Sequence, residues 1–346
     1  MIDFRYHLVS IVAVFLALAI GIVLGSTELQ GPAYNLLDKT TSKLQNELGQ
    51  VSSQRDAAQQ QATEGEMYAQ AVEPTVLRGL LTKQRLLIVT EPGAQSSVVS
   101  GISSAALAAG ASITGQINLA TKFFDTSGTT QDSLNVTTTD VAQAAGLALD
   151  SSATYQQQAA QVIATEILTK GDAGSAGKAP AADQGTNAAT MLQAYAASQF
   201  LSTTGQPGNN ATLAVVVTPQ NPPSDGSTDQ IDQVLIPLVT ELAAKSSATV
   251  VVGSSAGSGA GSPIAVLRSN NVSSQVSTVD DADLVAGQTV AMQALAVGLA
   301  GGKAGSYGFT ANGATAIAPS PAPSPSASAS VSTAPTSPTK KKVKKL

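Results

Sequence analysis

Hydrophobic positions fall along the chain in three regimes. From Leu8 to Leu24 the run LVSIVAVFLALAIGIVL carries no charge and one polar side chain, Ser10. At about 1.5 Å per helical residue, this run reaches the lower end of the length needed to cross a bilayer's hydrocarbon core. It predicts a transmembrane helix over residues 8–25, after a short cytoplasmic N-terminus over residues 1–7. Small residues recur every four positions at Ala13, Ala17, Gly21 and Gly25, and therefore share one slowly drifting helix face. Gly21-x-x-x-Gly25 is the spacing that lets two membrane helices approach closely. A cleaved signal peptide is the competing reading, but its best cleavage-like tripeptide, Val23-Leu24-Gly25, fits the A-x-A pattern poorly. Arg5 just before the run favours a cytoplasmic N-terminus, with the bulk of the chain extracytoplasmic.

The second regime follows a predicted break at Gly31-Pro32. Over residues 34–66 few helix breakers occur apart from Gly49 and Gly65, and Leu37, Leu44, Val51 and Ala58 recur at seven-residue spacing. Thr41, Leu48, Arg55 and Ala62 stand four residues further on, so the first two heptads have the pattern of a coiled coil and the last two are weak. As a helix this stem would be about 45–50 Å long. It reads either as a lone amphipathic helix or, given the small-residue face upstream, as half of a parallel homodimer joined through membrane helix and coiled coil.

The third regime begins near Pro74 and predicts an α/β domain over residues 74–309. Arg85–Thr90 is a buried strand, Glu91-Pro92-Gly93 a turn, Ser97–Ala109 a helix and Ala111–Leu119 a second strand, which together make a βαβ unit. Val141–Leu149, Tyr155–Lys170 and Thr186–Thr203 are predicted helices, with a Gly/Ser/Ala-rich loop at Gly171–Ala182. A second alternation then predicts strands at Thr212–Thr218, Ala248–Gly253 and Val276–Val279, helices at Asp229–Lys245 and Leu284–Leu299, and continuation of the sheet through Ile264–Leu267. The fold class is α/β, with a parallel, doubly wound-like sheet in one domain or in two lobes divided near residues 171–211.

Composition changes this picture mainly at the end. Residues 314–346 form a Pro/Ser/Ala tail too poor in apolar residues to build a core, and are expected to be disordered or extended. The tail closes on Lys340, Lys341, Lys342, Lys344 and Lys345. That cluster reads as an attachment to an anionic envelope polymer or lipid surface, or as a merely solubilising end. Between Gly25 and Thr339 there are 12 basic and 22 acidic residues, so the body is about −10, which argues against nucleic acid as a partner.

Candidate chemistry is sparse. The absence of cysteine excludes disulfides, thiolate nucleophiles and thiolate metal sites. Gly253-Ser254-Ser255-Ala256-Gly257 follows a predicted strand and matches the G-x-S-x-G elbow of serine hydrolases. A triad needs a histidine base, however, and the single histidine, His7, precedes the membrane run. The same loop lacks the spacing of a phosphate-binding motif. Asp280, Asp281 and Asp283 form the densest acidic cluster, a weak candidate for a hard cation and otherwise a turn capping a helix. Copper favours thiolate, thioether or imidazole ligands, and the four methionines, Met1, Met67, Met191 and Met292, lie far apart in sequence. No cofactor is implied.

Two stretches carry a family resemblance. His7–Ser26 (HLVSIVAVFLALAIGIVLGS), running into a Gln/Arg/Asp-bearing helix, is followed near the end by Ser277–Asp283 (STVDDAD), Gly287-Gln288 and Gly305-Ser306-Tyr307-Gly308. In this order they resemble the actinobacterial MctB family, the mycobacterial copper transport protein B group, over roughly residues 1–309. The resemblance implies a non-enzymatic envelope protein of copper homeostasis, acting as a channel or efflux-associated component, and brings no catalytic residues with it. A second reading is a structural or scaffolding component of the envelope, or of division and wall assembly, since a short cytoplasmic end, one membrane helix and a coiled-coil stem share that plan.

Overall fold

The computed structural model describes residues 4–170, 182–208, 210–220, 230–257, 261–309 and 314–319. The chain divides into two units, Met1–Tyr68 and Ala69–Leu346. The described part of the first is a single helix, the bulk of α1 (Phe4–Leu77). The expected break at Gly31-Pro32 is absent: α1 runs through it. A proline inside a helix removes one N–H and crowds the carbonyl four residues back, a local cost that does not end α1 here. Phe4–Gly25 is long and apolar enough to cross a membrane and buries none of its length within the chain. Leu37, Leu44, Leu48 and Val51 are exposed as well.

The second unit is built on one seven-stranded sheet. Its strands are β1 (Arg85–Thr90), β2 (Ser112–Leu119), β3 (Leu201–Gly205), β4 (Leu213–Val217), β5 (Ala248–Val252), β6 (Ser277–Val279) and β7 (Ser306–Tyr307). The spatial order is β3-β2-β1-β4-β5-β6-β7, so both predicted α/β segments enter the same sheet. All neighbours pair in parallel except β2 and β3, which makes the sheet mixed. The sequence placed residues 201–203 at the end of a helix; they begin β3 instead, because α5 (Ala182–Ala197) stops and Gln199 turns the chain at φ 62°. Only the first residue of β3 is buried, as suits a polar edge strand.

β1, β4 and β5 read as continuous apolar runs because both of their faces are covered. Alternate residues point to opposite faces and separate two cores. Leu87, Val89, Ala214, Val216 and Val251 pack with α3 (Gly128–Ala145), α4 (Tyr155–Ile167), α5 and α6 (Ile236–Lys245). Leu86, Ile88, Val215, Val217, Val250 and Val252 pack with α2 (Ser96–Ala108), α8 (Val285–Leu299), and Leu77 and Leu81 at the end of α1 and just beyond it.

Two boundary errors have local causes. Residues 264–267, expected as sheet, lie in helix α7 (Pro263–Ser269). The Ser262 hydroxyl accepts from the Ala265 amide at 3.2 Å and Pro263 opens the first turn, so a strong cap outweighs the β-branched side chains that follow. The helix predicted over 141–149 spans Gly128–Ala145 and ends where Gly146 adopts φ 67°. The predicted loop at 171–181, the start of the 229–245 helix, the lysine cluster and the tail beyond residue 319 lie outside the described residues.

Candidate functional site at the carboxyl edge of the sheet

The chain order of the strands reverses between β1 and β4. In open α/β sheets the crevice beyond the carboxyl ends of the strands at such a reversal is where ligands bind. Pairing here continues one residue past each strand. The Glu91 amide donates to Val217 O at 3.0 Å, Thr218 to Val252 O at 2.9 Å, Gly253 to Val279 O at 2.8 Å and Asp280 to Tyr307 O at 3.3 Å. Glu91, Thr218, Gly253 and Asp280 therefore stand in a row along this edge, with a carboxyl group at either end.

At the β1 end a cavity of ≈ 250 Å³ opens beside Glu91, walled by Thr121, Phe124, Pro219, Ile231 and Pro263. Glu91 is 7% exposed, and among the described residues its Oε1 has no hydrogen-bond partner. Burial alone pushes its carboxyl up to about 8, so at neutral pH the group is mostly a neutral acid able to donate as well as accept.

At the other end Arg268, on α7, organises the polar core. Its Nε donates to Thr278 Oγ1 at 3.0 Å, Nη1 to Asp280 Oδ2 at 2.8 Å and Nη2 to Tyr307 O at 2.7 Å. The Arg268 and Asp280 side chains are 4% and 0% exposed. A Cβ at Gly308 would collide with the Asp280 carboxylate, and one at Gly287 with the Asp281 carbonyl, so both sites require glycine for close approach. Gln288 Nε2 donates to Ala282 O at 3.0 Å. The STVDDAD, GQ and GSYG stretches thus meet in one structural knot.

The three aspartates predicted as a weak metal site have separate surroundings. Asp280 pairs with Arg268. Asp283 Oδ1 accepts from the Ser255 amide and hydroxyl, both at 2.9 Å. Asp281 is 1% exposed, and neither carboxylate oxygen has a hydrogen-bond partner beyond its own residue among the described ones. Its carboxyl is pushed up to about 6, first by burial and then by the charges of Asp280 and Asp283. Among the described residues no three His, Cys, Asp or Glu side chains are grouped to hold a metal ion.

Ser255 sits on a short 3-10 turn, and its hydrogen bond to Asp283 ties that loop down; His7 belongs to the first unit. Of the soft atoms suited to copper, Met191 and Met292 are core residues, whereas Met67 is exposed. Ala13, Ala17, Gly21 and Gly25 lie on the exposed apolar part of α1. Sequence reasoning missed Glu91 and Arg268. The first had one local signal, an acid directly after the buried strand RLLIVT, and the second stood one residue past a segment read as sheet.

Fold and edge together define an α/β protein with buried carboxyl groups at the ends of its strands and one N-terminal helix able by length and composition to cross a membrane. The chain belongs to the MctB family: the family model described as "Copper transport outer membrane protein, MctB" matches residues 1–319. It is similar to proteins named "Copper transporter MctB" from Mycobacterium bovis and Mycobacterium tuberculosis, each 26% identical over 322 residues, covering 92% of this chain and 99% of the relative. The protein of that name from Mycobacterium leprae is 25% identical over 325 residues, with the same coverage.

Two outcomes follow for the intact protein in detergent. Replacing Arg268 by Met leaves Asp280 buried without its cation and should lower unfolding free energy by about 3–5 kcal/mol at neutral pH, read from urea denaturation; a loss below about 1 kcal/mol would contradict the arrangement. The second outcome concerns pH. Raised carboxyl values mean that the folded state holds more protons than the unfolded one. The stability due to Glu91 is fully present below its ordinary value of 4.5 and is lost as pH rises through about 8; that due to Asp281 is lost between 3.8 and about 6. Melting temperature should fall from about pH 5 to pH 8, and Glu91→Gln should flatten the part of that fall above pH 6.

Proposed function

We propose that the protein is a membrane-anchored, non-enzymatic component of copper transport and homeostasis in the cell envelope, associated with efflux. The family match across residues 1–319, together with the copper-transporter names of relatives aligned over 92% of the chain, carries this reading. In it the Phe4–Gly25 helix anchors the protein, Arg5 holds the N-terminus on the cytoplasmic side, and the α/β unit is extracytoplasmic. The lysine cluster holds an anionic envelope polymer. With no cysteine, one histidine and two of four methionines in the core, the protein acts on copper through its partners rather than through a soft-ligand centre of its own. Deleting the gene should raise cell-associated copper under copper stress, measured by elemental analysis; unchanged metal content would refute the role.

The exposed seven-residue pattern Leu37, Leu44 and Val51, with Leu48 beside it, favours a parallel homodimer through α1. The small residues Ala13, Ala17, Gly21 and Gly25 extend that contact into the membrane. This feature also supports the second reading, an envelope scaffold that organises division or wall assembly. Cysteines introduced at Gly21 or Leu44 should give disulfide-linked dimers in oxidised membranes, and their absence would leave α1 a lone helix.

A further inference from the structure

The geometry points to the cavity beside Glu91 as a binding site for a small organic cation, a primary ammonium group on an apolar body. A cavity of ≈ 250 Å³ lies just below the range of about 300–1,000 Å³ usual for ligand pockets, and so admits a fragment-sized molecule. It sits where the order of the strands reverses, the position at which open α/β sheets take ligands. Glu91 is the sole titratable residue lining it among the described ones and is more than nine-tenths buried; its Oε1 is enclosed and has no hydrogen-bond partner among them. A polar group in that position is stabilised by an incoming partner.

The charge of that partner follows from the surroundings. No cation lines the cavity among the described residues, and the body of the chain is acidic overall, which attracts cations and repels carboxylates and phosphates. One carboxylate among prolines offers too few oxygens for a hard metal ion, which takes six or more. The walls of Phe124, Ile231, Pro219 and Pro263 suit a hydrocarbon body. An entering ammonium supplies the charge whose lack keeps Glu91 protonated. The acid therefore gives its proton to solvent as the ion pair forms, and the ligand keeps its own.

The test is isothermal titration of the full chain in detergent with benzylamine at pH 7, repeated in buffers of different ionisation enthalpy to count protons, with benzyl alcohol as the neutral match. Benzylamine should bind with release of about one proton per site, and benzyl alcohol at least about tenfold more weakly. Glu91→Gln, isosteric and uncharged, should lose about tenfold or more in benzylamine affinity and release no proton. Proton release by the unaltered protein does not depend on how any variant folds. No binding at millimolar benzylamine, binding without proton release, equal binding of benzyl alcohol, or unchanged affinity in a folded Glu91→Gln protein would each overturn the assignment.

Discussion

Strands β1, β4 and β5 bury every side chain from their second residue onward, on both faces, so the sheet can meet polar chemistry only where its strands stop. Parallel pairing puts all those stops on one side. The row from Glu91 to Asp280 is the outcome: four residues, contributed by chain segments almost two hundred positions apart, brought level by backbone pairing that outlasts each strand by one step. The polar content of the edge is set by where the aliphatic runs end.

The two ends of the row solve the problem of a buried acid in opposite ways. Asp280 has a guanidinium at 2.8 Å, whose other two nitrogens donate to Thr278 and the Tyr307 carbonyl. Glu91 has no such ion pair among the described residues, and burial pushes its carboxyl up to about 8 instead. A paired interior charge is a fastening; an unpaired acid next to open space is poised to respond to what enters. This contrast, more than the acidic cluster as such, separates architecture from candidate chemistry in this molecule.

Much of the fold was legible because its strongest signals are local. RLLIVT, LAVVV and ATVVV announce buried strands by composition alone, and the near-continuous apolar run of α8 announces a helix packed against them. Legibility failed where a short element is decided by its cap or by its neighbours. IAVL reads as strand until Ser262-Pro263 is given its weight, and Ser306–Tyr307 becomes a strand only because β6 lies beside it. The site was less readable still. Glu91 looks like an ordinary turn acid, and its neutrality depends on Thr121, Phe124, Pro219 and Ile231, which come from elsewhere in the chain. Arg268 finds its partners ten, twelve and thirty-nine residues away.

The chain enters and leaves the α/β unit through the same core layer. Leu77 and Leu81 on the way in and Tyr307 on the way out all belong to the cluster between the sheet and helices α2 and α8. Beyond Tyr307, Thr315 and Ala316 are stitched back to Ser306 and Gly308. Tension between the leading helix and the trailing segment would thus run through one layer of the unit, over a short strand gripped by a single guanidinium. The opposite layer, with its cavity beside Glu91, would be mechanically sheltered.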